Sequence, residues 1–568
     1  GAPVDLGWIE SELDLTGGPG WDLALPMHRP ARTAGLAPDE LARRIVAGFP
    51  APPGIRSVVS TGAYVNLAAD PDWLCRTTLD IVRVRGRAYG RSDGTVPGTC
   101  VEHTSANPTG PLHVGRIRNG IIGDTLARVL RAAGAPVTTQ YYVDDLGRQA
   151  AMITWIWTKP LAEWPEEIRR TLGGEETDGA RGERADLRYG RPYPAVSAYL
   201  KTHPEAAEEV AELNRALESG HAPPRHHEIA REVLDGMLVS LARIGITFDE
   251  FVWESSFLRD GSVARVIERL ANAPHAQRVE NGALAIDAST YGLPKKTAEL
   301  VVMRANGTSL YAARDIAYHL AKFARFPRVV DVLGQDHRLH ARTIEVLLEE
   351  IAESRRPEFV IYQDLTVPEG GRMSTRKGTA IHLDALVDEA VARARGEVKG
   401  RWPESSETEV EATAEAIGTG AVRYHILRVA PDKTVSFRWE DALSFEGRSG
   451  PFVQYSFVRA TSLLRKAEPD RPPFEVRASD LSTDQERALV RTIARLPRTV
   501  AYVARSAHVH TMAGYAHDLA ESFNRFYQAV PVLSSGPERS SRLALVDAAR
   551  ETLGNVLDLM GLSRLERM

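Results

Sequence analysis

Residues 103–119 read HTSANPTGPLHVGRIRN. A short apolar run, Thr99 to Glu102, leads into them, and behind them Ile122, Leu126, Val129 and Leu130 recur at helical spacing on one face. The pattern is strand, Gly/Pro-punctuated turn, helix. A helix N-terminus at the carboxyl edge of a parallel strand presents free N–H groups and partial positive charge, which suits phosphates. In the turn, His113 offers hydrogen bonds to a phosphate, and Gly115 lets a base or ribose approach the backbone closely.

The same pattern returns further along. VTTQYYVDDLGRQ (Val137 to Gln149) is a β-rich strand ending in acidic residues and Gly. TAELVVMRANGTSLYAARDIAYHLAKF reads as strand, turn at Asn306-Gly307, then a helix with Ile316, Leu320 and Phe323 on one side. VVDVLGQDHRLHARTIEVLL is another strand-turn-helix. Alternating strands and helices argue for a doubly wound, Rossmann-like α/β sheet over residues 96–405. A polar, mostly helical insertion interrupts it at about 155–240 and contains the loop sequence GGEETDGARGER. His221, His226 and His227, in HAPPRHH, are expected to be solvated side chains rather than metal ligands.

Residues 1–95 predict a small α/β domain: a helix over Pro38–Phe49, strands over Ile55–Ser60 and Ala63–Ala68, and a second helix over Trp73–Val84. Residues 406–568 predict an all-helical bundle, with Leu519, Phe523, Phe526 and Tyr527 sharing one face and Val546, Ala549, Leu553, Val556 and Met560 another.

The 568 residues leave room for several domains and a large core. A formal charge of −5 does not announce a nucleic-acid partner, which would need local basic patches. Two cysteines, Cys75 and Cys100, exclude a disulfide framework or a four-thiolate zinc site and fit a reducing cytoplasm. Neither an apolar run of membrane-spanning length nor a basic-then-apolar leader is indicated, so no membrane partner is expected.

SANPTGPLHVG resembles the HIGH signature segment of arginyl-tRNA synthetases, class I aminoacyl-tRNA synthetases, with Arg116 where the family has its second His. Arg372-Met373-Ser374-Thr375-Arg376-Lys377-Gly378 resembles the family's KMSKS loop, GAYVNL (Gly62 to Leu67) its tRNA-elbow-binding edge, and the segments from AVRYHILRV to the RLERM end its anticodon-binding domain. The resemblance implies activation of L-arginine with ATP, Mg2+ accompanying the phosphates without a metal site on the protein, and transfer to tRNA(Arg) by a cytoplasmic monomer. It implies that His113, Gly115, Arg116, Arg372, Met373, Ser374 and Lys377 bind ATP, with His113, Arg116 and Lys377 acting in catalysis. It places arginine on Glu254, Tyr311 and Asp315 at the guanidinium, and on Ser105, Asn107 and Gln335 at the α-amino and carboxylate end. It places tRNA on Tyr64, Asn66, Tyr455 and Arg459.

The chemistry agrees. Activation moves a carboxylate onto the α-phosphorus of ATP and expels pyrophosphate, so donors must hold developing negative charge. A planar guanidinium is best met by carboxylates. Tyr311 and Asp315, four apart, share a face if a helix begins there. Arg116 divides the readings. Its fork can replace the His as a phosphate donor. Alternatively it misplaces the donor, and the chain is a paralogue that activates arginine for tRNA-independent amide formation, or one that only binds tRNA.

Overall fold

The computed structural model describes residues 21–94, 96–172, 183–293, 297–366, 381–467 and 476–568. It divides into two compact units, Asp93–Leu443 and Gly1–Ser92 with Ser444–Met568.

The larger unit is built on five parallel strands: β1 (Thr99–Glu102), β2 (Val137–Val143), β3 (Glu250–Trp253), β4 (Arg328–Gly334) and β5 (Glu358–Tyr362), in spatial order β5-β4-β1-β2-β3. The chain runs outward from β1 in both directions, so the order reverses between β1 and β4. Ligands of such sheets bind at the carboxyl ends of the strands flanking that reversal. β1 is buried along its whole length, as a central strand covered on both faces must be.

Helix α1 (Ile117–Ala132) follows the turn quoted above. Its approach to the sheet depends on Gly123, where an added Cβ would stand 2.3 Å from His103 Cβ. Arg118, fully buried, anchors the start of α1 by donating to the carbonyls of Gln363 and Lys433 at 2.7 Å and of Ala430 at 2.8 Å. Helix α2 (Gly147–Trp157) leads into the insertion, whose core joins Trp155, Trp164, Val196, Leu200 and Val210.

The insertion closes with α3 (Pro224–Arg243) and corrects one expectation. His226 is not solvated; it is 2% exposed. Proline starts the helix at 224, so position 226 falls on the inward face with Ile229, Ala230, Val233 and Met237. Its Nε2 donates to the Asp145 carbonyl at 2.7 Å, and its Nδ1 accepts from Thr154 Oγ1 at 2.7 Å. His227 lies against Trp253, ring centroids 4.1 Å apart, while His221 is exposed.

Beyond β3 come α4 (Glu254–Arg259), α5 (Tyr311–Arg325), α6 (Arg338–Glu350), α7 (Leu383–Arg401) and α8 (Glu407–Leu427). The boundary expected at 405 falls between α7 and α8, which pack on each other inside this unit. Residues 173–182 of the expected loop lie outside the described residues.

In the other unit, an antiparallel sheet places Tyr64–Ala69 between Leu23–Pro26 and Ile55–Thr61. Helix Pro38–Gly48 covers it over Met27, Ala42 and Val65. Among the described residues, helix Pro71–Arg85 and five α-helices from 450 to 560 also belong to the unit. Tyr89 Oη donates to the Ile493 carbonyl at 2.9 Å, and Asn555 Nδ2 donates to the carbonyls of Gly86 and Tyr89 at 3.0 and 3.1 Å. The end segments expected as two domains therefore share one compact unit.

Candidate active site

At the reversal point the backbone is forced. Thr104 and Ser105, just past β1, have φ of 70° and 40°, a region that costs a non-glycine residue about 1–3 kcal/mol and persists only where its surroundings over-determine it. Asn119, on α1, does part of this: its Oδ1 accepts the Thr104 N–H at 2.7 Å and its Nδ2 donates to the Val332 carbonyl at 2.8 Å, tying β1 to β4. Ser105 Oγ donates to Glu102 at 3.0 Å and accepts the Tyr142 N–H at 3.0 Å.

These strand ends open on a cavity of ≈ 740 Å³. Ser105, Asn107, Arg116, Glu254, Tyr311 and Asp315 all line it. Helix α5 begins at Tyr311, so Tyr311 and Asp315 do share its inward face. Tyr311 is 60% exposed and Asp315 is part-buried behind it.

The cavity gathers buried carboxylates and the cations that partner them. Glu254 sits on the first residue of α4, almost fully buried, with Arg314 Nε 2.8 Å from its Oε1. Burial and the neighbouring Asp144 push the Glu254 carboxyl well above the ordinary range, against the pull of Arg314. Asn107 Nδ2 donates to Asp144 at 2.7 Å. Asp315 is the opposite case. Burial would raise it, but His319 and His340 hold it well below the usual carboxylate range, with His340 Nε2 2.6 Å from Asp315 Oδ2. His319 Nδ1 reaches the Asp315 carbonyl and its Nε2 reaches Asp331, each at 2.8 Å. Lys322 donates to Glu102 and Asp331 at 2.8 Å. Tyr142, stacked on Tyr318 with centroids 4.5 Å apart, also lines the cavity.

In the turn before α1, His113 Nδ1 accepts the Gly115 N–H at 3.0 Å, leaving its Nε2 to carry the outward proton. His113 is exposed and its ring is held below its ordinary pKa by partial burial and by the neighbouring His382 and Arg116. Arg116 lines the cavity, and among the described residues it has no carboxylate at ion-pair distance. Gln335 does not line the cavity; it donates to Asp364. Arg372, Met373, Ser374 and Lys377 lie outside the described residues.

The expected tRNA contacts are in the other unit. Tyr64 is 43% exposed at the start of its strand, edge-on to His28, whereas Asn66 is 3% exposed and donates to Thr61 Oγ1 at 3.0 Å. Arg459 lies over Tyr455 and Tyr527, 4.6 and 4.8 Å from the ring centroids, and donates to Asn524.

Asn119, Arg314, His319, Lys322 and His340 escaped the sequence reading. A signal existed for two of them: in an otherwise apolar helix face, Asp315, His319 and Lys322 stand at i, i+4 and i+7. Asn119 carries no such signal, since its partners are remote in sequence.

A family model for the class I tRNA synthetase (R) catalytic domain matches residues 82–439, and one for the DALR anticodon-binding domain matches 453–568. The arginine–tRNA ligase of Methanocella arvoryzae is 40% identical over 574 residues, covering 100% of this chain and 97% of that one. This chain belongs to the arginyl-tRNA synthetase family. The Methanothermobacter thermautotrophicus arginine–tRNA ligase is 41% identical over 534 residues, 94% of this chain and 90% of its own. Among solved structures, Thermus thermophilus arginyl-tRNA synthetase superposes with a TM-score of 0.82 at 28% identity, covering 98% and 96% of the two chains. The Plasmodium falciparum arginyl-tRNA synthetase superposes with a TM-score of 0.71 at 16% identity, over 98% and 95% of the two chains, and shares the fold. The doubly wound sheet and helical C-terminal region expected from the sequence are those of this arginyl-tRNA synthetase family member.

Proposed function

We propose that this protein is an arginine–tRNA ligase, activating L-arginine with ATP and transferring it to tRNA(Arg). The carrying observation is the cavity at the β1/β4 reversal, where Glu254, Tyr311 and Asp315 converge with Ser105 and Asn107. Glu254 and Asp315 would take the guanidinium, and Ser105 and Asn107 the α-amino and carboxylate end. That presents the arginine carboxylate toward Arg116 and the turn at His113. Attack on the α-phosphorus expels pyrophosphate, and His113 and Arg116 would stabilise the charge that develops, the role that fixed donors serve best when they need no reorganisation. Lys377, Arg372, Met373 and Ser374 are assigned to the pyrophosphate side by resemblance.

Mg2+ would neutralise part of the triphosphate charge. Its ligands would be phosphate oxygens and water, as this ion's preference for retained waters and substrate phosphates implies. Tyr64, Tyr455 and Arg459 are the proposed tRNA contacts, while Asn66, expected beside Tyr64, is buried and bonded to Thr61 and would act only by bracing that strand; exposed Tyr64 and the Tyr455–Arg459–Tyr527 stack supply the aromatic and cationic faces that splayed bases use. The proposed setting is the cytoplasm, as a monomer; two unpaired, buried cysteines fit a reducing compartment. No described helix is long and apolar enough to cross a membrane.

Arginine-dependent ATP–pyrophosphate exchange, with and without tRNA(Arg), together with arginylation of that tRNA, tests the reading. Exchange and arginylation in the presence of tRNA are expected. Exchange without arginylation, or tRNA binding with neither reaction, would overturn it.

A further inference from the structure

We propose that His382 is a second histidine donor to the ATP phosphates, paired with His113 across a two-residue antiparallel contact. The inference rests on the reading of the cavity as an ATP-dependent arginine site.

His113 and His382 form an isolated antiparallel bridge. The Val114 N–H donates to the Ile381 carbonyl at 2.9 Å and the Leu383 N–H to the Leu112 carbonyl at 2.8 Å. Those two bonds flank the pair, so His113 and His382 face each other as a non-hydrogen-bonded pair, the arrangement that brings opposed side chains closest and points them to the same face, Cβ atoms about 4.5–5.5 Å apart. Both residues are exposed. Two imidazoles on one face repel when both are charged. An anion between them offsets that repulsion.

Three surrounding features point the same way. Arg116, one turn on from His113, lines the cavity without a carboxylate partner among the described residues. His113 spends its Nδ1 on the Gly115 N–H, which leaves only Nε2 to face a ligand, so a single histidine offers one donor here. His382 is also the N-cap residue of α7, a helix of 19 residues whose N-terminal dipole adds positive potential at the same spot, with no side-chain cap engaged. The one acidic residue in the first turn of α7, Asp384, is turned away, taking Arg184 at 2.6 Å and Ser240 at 2.9 Å. His113 and His382 thus stand together beside Arg116 at the edge of the cavity, where a triphosphate held by the turn would meet all three.

The test is calorimetric binding of Mg-ATP and, separately, of adenosine, to the full chain and its His382→Ala and His382→Gln variants, alongside arginine-dependent exchange. His382→Ala should weaken ATP binding about 10-fold or more, the size of a charge-assisted hydrogen bond, and leave adenosine binding unchanged. His382→Gln, which keeps an N–H donor, should recover part of the loss. ATP affinity within twofold of the parent in His382→Ala, or an equal loss for adenosine, overturns the proposal. Absence of arginine-dependent exchange in the unmodified chain would strike the underlying reading instead.

Discussion

Asp145 takes both the N–H and the Oγ–H of Ser255, at 2.9 and 2.7 Å. One carboxylate at the end of β2 thereby pins the first turn of α4, the helix whose first residue is Glu254. Behind it, His226 holds the Asp145 carbonyl and is itself held by Thr154. The insertion helix α3 is therefore part of the support of the cavity wall that carries Glu254.

His226→Phe should raise KM for arginine about tenfold, the cost of one lost hydrogen bond that leaves a buried carbonyl unpaired, with KM for ATP unchanged. His226→Gln, whose amide nitrogen can stand at the Nε2 position, should be close to the parent. Steady-state exchange kinetics check this; equal effects of the two variants would show that the ring's bulk matters and its donor does not.

Arginine binding should release protons. Glu254 starts with a raised pKa, so its carboxyl is protonated more than an ordinary one. A guanidinium placed against it favours the ionised form, and affinity must then rise with pH. Calorimetry at one pH in two buffers of different ionisation heat measures the protons directly. Proton uptake would show the sign to be wrong.

His319 should make stability depend on pH in the alkaline range. Burial and Lys322 lower its pKa, but Asp315 and Asp331 outweigh them and raise it to about 9. A group whose folded pKa exceeds its unfolded value of roughly 6.5 stabilises fully below that value and loses its contribution as pH rises toward 9. The whole effect is on the order of 3 kcal/mol by linkage. Thermal melting from pH 6 to 9.5 should show a falling Tm in the parent and a flatter profile, from a lower start, in His319→Gln. Parallel profiles would exclude His319 as the source.

Arg116→Ala should lower exchange by about 10²–10³, the cost of removing one donor to developing charge. Arg116→His should remain within about tenfold of the parent, because Arg116 stands on the cavity wall and, among the described residues, has a hydrogen bond to Tyr362 but no ion pair to keep. A higher rate in Arg116→His than in the parent would mark Arg116 as a defect.

Much of the catalytic unit was legible because its signals are local. The turn after Glu102, the helical spacing of Ile122, Leu126 and Val129, and the Tyr311–Asp315 interval depend on residues within a few positions of one another, and backbone geometry converts those intervals directly into faces. The limits of that reading show at His226. HAPPRHH reads as a stretch of solvated histidines, yet its second proline starts a helix, and the His226 side chain turns inward.

Local chemistry therefore established the strand-turn-helix repeat, the doubly wound class and the residue types needed to hold a guanidinium and a triphosphate. The three-dimensional packing settled the rest. It set which carboxylate is raised and which depressed, since Glu254 faces Asp144 while Asp315 faces two histidines. It set the strained Thr104–Ser105 turn through Asn119, whose amide reaches a carbonyl 213 positions away. It brought His382 opposite His113 and turned Gln335 toward Asp364. Protonation and orientation are properties of an environment, and here that environment is assembled from strands and helices hundreds of residues apart.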